Sequence, residues 1–157
     1  MTAGSAPAPT LGPTRLSLAA DLSDVIGGAW LPYTDHISTE LGGLQSAARE
    51  RLGTITGIEV NWRNLGRYPG LDSAQGPETL PLMCITAERA DVTVLVIPPR
   101  TASTLAAELL RQAGGRLWSS TSEHSHLYRG AHRILHRAAA QQLSLIHISE
   151  PTRLGMI

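Results

Sequence analysis

Histidine is the side chain here best suited to metal or acid–base chemistry, and four of the six cluster as His124-x-His126 and His132-x-x-x-His136. Two histidines four apart on a helix can share a zinc ion, and a third nearby could complete the site. The spacing also argues against this. With Leu127 at the centre of the apolar face, His132 and His136 project about 140° and 180° away from it at 100° per residue. They are expected on an exposed face, so no metal site is expected. Cys84 beside a histidine would suggest a thiol nucleophile. It lies in Leu82-Met-Cys-Ile85, however, and an apolar strand does not supply the electropositive setting that activates a thiol. No Gly-x-Ser-x-Gly elbow and no Gly-rich phosphate loop is present. No catalytic residue and no cofactor is therefore expected. A weaker constellation remains in Trp30, Asp35, Glu40 and Trp62, which could line a cleft for a polar ligand. Core bulk would equally explain the tryptophans, and a helix cap and a first-turn carboxylate would explain the acids.

Composition narrows the classes. The 157 residues suffice for one domain with a real core. Thirteen basic residues, all arginine, balance thirteen acidic ones, so there is no basic excess to neutralise phosphates. Nucleic-acid binding is not expected. With no lysine, neither a Schiff base nor a P-loop lysine is available. A single cysteine forbids an internal disulfide. No apolar run approaches the ~20 residues of a membrane span, and the N-terminus lacks a signal-peptide pattern. A cytoplasmic protein is expected, without membrane partners.

The elements follow from periodicity. Arg15-Leu-Ser-Leu18 reads as a short strand, and Ala29-Trp-Leu-Pro32 as another that Pro32 must end. Thr34 or Asp35 is placed to cap a helix whose apolar face carries Ile37, Leu41, Leu44, Ala48 and Leu52. Gly42 and Gly43 interrupt it, as close approach to a sheet would explain, and Gly53 closes it. Ile58, Val60 and Trp62 alternate with polar residues as a half-buried strand. Residues 80–86 and 92–97 read as an antiparallel hairpin, the second as the central strand. Thr101 or Ser103 can cap the next helix, with Leu105, Leu109 and Ala113 on its face. A last helix, about 122–142, faces inward with Leu127, Ala131, Ile134, Leu135 and Ala138. Gly130 is its weak point. The expected fold is α+β: a two-layer sandwich with a mostly antiparallel sheet covered on one face by helices. A doubly wound α/β fold is the alternative.

The stretch Gly27-Gly-Ala-Trp-Leu-Pro-Tyr-Thr-Asp35 with Glu40-Leu41 resembles the "DGAWWPRSxDLxxEL" opening of a family of small actinobacterial proteins of unknown function. Val94-Leu-Val-Ile-Pro-Pro99 with Thr101 resembles that family's "LLVVPPxT" segment. The resemblance runs roughly over residues 15–113 and implies a shared fold, but no activity. Gly27, Leu31 and Tyr33 stand where the family commonly has Asp, Trp and Arg.

Residues 143–153, Leu-Ser-Leu-Ile-His-Ile-Ser-Glu-Pro-Thr-Arg, resemble one reading frame of a transposon-end adapter used in preparing DNA sequencing libraries. The chain thus divides into a flexible Ala/Pro-rich tail (1–14), a single α+β domain (15–142) and an adapter-derived segment (143–157). That segment is expected to be loose, extended or fortuitously packed, its His147 no ligand, and the native C-terminus missing. The expected function is a non-enzymatic binding or interaction module with an unknown ligand or protein partner. The alternatives are a small enzyme acting on a polar metabolite, with Trp30, Asp35, Glu40 and Trp62 in its cleft, and a homo-oligomer joined through the strand 92–97 or the last helix.

Overall fold

The apolar run near the middle of the chain decides the architecture. In strand β5 (Asp91–Val96) and the residue after it, Val94, Leu95, Val96 and Ile97 are all 0% exposed. Strand alternation sends Val92, Val94 and Val96 to one side and Leu95 and Ile97 to the other. A strand apolar on both sides needs a neighbour on each edge and a covering layer on each face. Each large apolar side chain so buried contributes roughly 1.5–3 kcal/mol.

The computed structural model describes residues 13–34, 36–72, 79–114 and 126–155, with side chains as far as Ser144. The remaining strands are β1 (Arg15–Leu18), β2 (Gly28–Leu31), β3 (Ile55–Val60) and β4 (Leu82–Ala87). The sheet order is β1-β2-β5-β4-β3. Three of its four pairings are antiparallel, and β2 with β5 is parallel. The expected β4–β5 hairpin and central strand are found. Strand β5 is paired on both edges, with β2 and with β4. The parallel pair arises because the chain leaves β2 through a helix and the β3–β4 hairpin before returning beside it.

Helix α1 (Leu41–Leu52) packs Leu44, Ala48 and Leu52 against Trp30, Met83, Ile85 and the valines of β5. Helices α2 (Ser103–Ala113) and α3 (His126–Gly155) cover the other face. They bring Leu105, Leu109, Ala113, Ala131, Ile134 and Ala138 against Ala29, Leu82, Leu95 and Ile97. The α+β class and the mostly antiparallel sheet hold, with the helices shared between both faces of the sheet rather than gathered on one. The double-sided burial of β5 is the reason.

Local signals were partly displaced by tertiary partners. The first helix opens with a 3₁₀ turn (Ile37–Glu40) that has no side-chain cap. Thr34 Oγ1 instead accepts from His36 N at 3.1 Å and donates to Glu40 at 2.7 Å. Asp35 lies outside the described residues. Helix α2 follows Ala102, again without a side-chain cap. Thr101 is buried and accepts from Leu71 N at 3.0 Å, which ties the loop after β3 to the start of α2. Gly42 has open space around it, so close approach does not explain it, whereas a Cβ on Gly43 would meet the Thr14 hydroxyl at 2.6 Å. Helix α3 is fastened to the sheet by Gln141, which accepts from Leu80 N at 2.8 Å and donates to Leu80 O at 2.9 Å. From Leu143 to Gly155 the backbone continues this helix rather than running extended. Among the described residues no helix is long and apolar enough to cross a membrane.

Backbone conformation and a close approach together fix Gly53 as glycine. Gly53 ends α1 at φ +78°, and its ψ of −154° lies in a region nearly reserved for glycine. A Cβ there would also meet the Glu88 carboxylate at 2.8 Å. Gly53→Ala should therefore lower unfolding stability by roughly 1–3 kcal/mol, read as a shift of the urea midpoint at unchanged slope.

Glu108, on α2, accepts from Arg111 Nε at 3.1 Å and Gln112 Nε2 at 2.7 Å, and Gln112 also donates to Tyr128 O on α3. Burial pushes its carboxyl up, but the Arg111 and Gln112 hydrogen bonds and the Arg111 charge outweigh it and hold the pKa below the usual value. A carboxylate depressed in the folded state stabilises above its unfolded pKa and loses that contribution as pH falls through the folded one. Unfolding free energy should drop below about pH 4.3 more steeply in the parent than in Glu108→Gln. Equal slopes would remove the assignment.

Candidate functional site

The motif around Trp30 is first a packing device. A Cβ on Gly28 would lie 2.2 Å from the Ser17 carbonyl on β1, so only glycine permits that pairing. Ala29 and Trp30 then point to opposite faces, both buried, and Pro32 ends the strand. Trp30 is 1% exposed and supplies bulk beneath α1, as the core reading of the tryptophans requires. Trp62 packs against the same cluster from beyond the end of β3 and does not share a cavity with Trp30 among the described residues.

Beyond β2, residues 31–34 are held by one buried charge, Glu40, and one half-buried one, Arg15. Glu40 is 7% exposed, and its carboxylate accepts from Tyr33 N at 2.8 Å, Thr34 N at 2.7 Å and Thr34 Oγ1 at 2.7 Å. It acts as a reversed cap, satisfying backbone donors that precede its own helix. Arg15 donates to Leu31 O at 3.2 Å and Pro32 O at 3.1 Å, and its guanidinium lies 3.7 Å from the centre of the Tyr33 ring. The Tyr33 hydroxyl donates to Pro13 O at 2.8 Å. Trp30 and Glu40 do meet, at a hollow of about 90 Å³ closed by Arg15, Tyr33 and Thr39. That volume holds a few waters at ~30 Å³ each, well short of a metabolite. No signal in the sequence pointed to Arg15, because its partners are main-chain carbonyls sixteen and seventeen residues away.

On the other side of Thr34 the structure opens a larger space. The parallel strands β2 and β5 run out together, and the segments that follow them diverge. Between them lies a cleft of about 250 Å³ lined by Thr34, Leu65, Gly66, Tyr68, Pro99 and Arg100. The carboxyl ends of parallel strands are where open α/β sheets bind ligands, since diverging loops leave a crevice there. Asn64 fixes the far wall by accepting from Gly66 N at 2.9 Å, which starts the short 3₁₀ turn Leu65–Arg67. Arg100 is exposed, and among the described residues no hydrogen bond or ion pair holds its guanidinium. The charged group in the lining is this cation. Among the described residues the lining contains no carboxylate, histidine or thiol.

The other candidates lie away from this cleft. His132 and His136 are exposed, as their helical angles demanded, and stack in a row with Tyr128 at ring separations of 6.1 and 6.4 Å. They edge a shallow cleft of about 470 Å³ opposite Asp21 and Asp24. Among the described residues no group of three or more His, Cys, Asp or Glu side chains is placed to hold a metal ion. His124 lies outside the described residues. Cys84 is half-buried, its sulfur 3.4 Å from Thr93 Oγ1.

Glu40→Gln keeps the size of the side chain but replaces an acceptor by an amide facing N–H and O–H donors. It should cost about 2 kcal/mol in urea unfolding. A variant as stable as the parent would show that the carboxylate does not organise residues 33 and 34.

Among known proteins, the family described as "Family of unknown function (DUF5994)" matches residues 15–113, from the start of β1 to the end of α2. No curated protein and no solved structure matches the chain.

Proposed function

We infer that this chain, which belongs to the DUF5994 family of unknown function, is a cytoplasmic binding module whose cleft beyond β2 and β5 takes a small anionic ligand. The convergence of two sequence segments carries the reading. The stretch after Trp30 supplies Thr34, and the stretch after Val96 supplies Pro99 and Arg100. Both belong to the matched span, and the resemblance noted in the sequence falls on these same two stretches.

The chemistry of the lining selects the ligand class. One guanidinium without a protein partner offers the fork geometry that suits a carboxylate or phosphate. Tyr68 and Pro99 present an apolar wall, and Leu65 closes the floor. Its described lining offers the Thr34 and Tyr68 hydroxyls and the Arg100 guanidinium, groups that bind and orient an anion. Thr34 is held rigid by Glu40, so little ordering would be needed on binding.

The test is thermal unfolding with a panel of small carboxylates, phosphate esters and inorganic phosphate. A true ligand at ~100-fold over its Kd stabilises by about 2.7 kcal/mol, roughly 5–10 °C for a domain of this size. Arg100→Glu should abolish that shift while leaving the ligand-free Tm unchanged, because Arg100 is exposed. A panel in which no anion moves the parent, or in which Arg100→Glu responds equally, sinks the reading.

A further inference from the structure

Helix α3 lies outside the matched span and carries a feature that the cleft at Arg100 does not use. Arg129, Arg133 and Arg137 recur at every fourth position and all are exposed. From 126 to 144 the helix has no acidic residue. Its apolar stripe, Ala131, Ile134 and Ala138, is already spent on the core against α2. The arginines therefore form a basic row about 12 Å long on a helix whose inner face is occupied.

Beside that row runs a groove of about 570 Å³ between α3, the start of α2 and the Leu71–Asp72 turn. Leu71, Leu105, Leu127 and Ile134 give it an apolar floor, with Leu127 39% exposed. Arg133, Arg137 and His126 stand on its rim. Gly130 faces it with no side chain and nothing within 4 Å, which leaves the middle of the groove open. The lining's one carboxylate, Asp72, is turned to the Ala102 N–H at 3.3 Å.

We propose that this groove docks an acidic amphipathic segment of a partner protein, its apolar residues over Leu127 and Ile134 and its carboxylates along the arginine rim. Charge complementarity selects the partner: neighbouring arginines one helical turn apart match glutamates one helical turn apart. An apolar floor inside a basic rim is the groove that receives an amphipathic helix. The chain's zero net charge argues against nucleic acid, which needs a wider basic field. A concave floor argues against a lipid surface, which rewards protruding apolar side chains.

The experiment uses the full chain and a labelled synthetic helix of about sixteen residues, with leucine on one stripe and glutamate at every fourth position beside it. Fluorescence anisotropy should show saturable binding that weakens with added salt. Arg133→Glu should weaken it about tenfold or more, by replacing attraction with like-charge repulsion. Leu127→Ser should weaken it without changing the salt dependence. Both positions are exposed, and unchanged circular dichroism and Tm will show that the variants fold. The proposal is overturned if the acidic helix does not bind, or if its lysine-for-glutamate counterpart binds as well. It is equally overturned if Arg133→Glu has no effect, or if phosphatidylserine vesicles or duplex DNA bind more tightly and compete.

Discussion

Burial of β5 on both faces is the constraint from which the rest of the molecule follows. Four consecutive apolar residues, Val94 to Ile97, cannot be covered by one layer, because successive side chains leave a strand in opposite directions. One layer therefore comes from α1 and the other from α2 and α3. The same demand places β5 between β2 and β4, so the sheet gains one parallel pairing among antiparallel ones. The hollow at Trp30 and the cleft at Arg100 both sit where a strand of that sheet ends.

The polar groups serve the same frame. Glu40, Gln45, Asn61, Thr101 and Gln141 all bond main-chain groups that strands and helices leave open: Glu40 takes the N–H groups of residues 33 and 34, Gln45 takes Ile55 N, Asn61 brackets Leu80 and Leu82, and Gln141 clasps Leu80. A buried amide without a partner costs about as much as the hydrogen bond it lacks, so these side chains complete the sheet beyond its strands. Arg15 belongs with them. Among the described residues, the arginines with no bonded acid include Arg100 at the cleft beyond β2 and β5 and Arg133 on the groove of α3. These are cations without acids, and the two binding readings rest on that asymmetry.

The division of labour between the two ends of the chain is also physical. The matched span ends with α2, at residue 113, yet the face of the sheet bearing Ala29, Leu95 and Ile97 is finished only when α3 adds Ala131, Ile134 and Ala138. The cleft at Arg100 lies wholly within the matched span. The basic groove needs α3 for most of its lining. A role shared across the family would sit at the first, and a role particular to this chain at the second.

Much of this was legible in the residues alone. Apolar patterning pointed to the described strands and the three longer helices, though not to the 3₁₀ turn Leu65–Arg67, the short turn at 88–90 announced the hairpin, and helical angles placed His132 and His136 outside. Those signals are local, set by how side chains leave a strand or a helix. The sequence could not show that Thr34 and Thr101 would bond distant groups instead of capping helices, or that Trp30 and Trp62 would serve the core apart from one another. Nor could it show that β2 and β5 would lie parallel and open a cleft at Arg100. Each of these depends on which segments become neighbours, and neighbours far apart in the chain are chosen by the burial of the whole sheet.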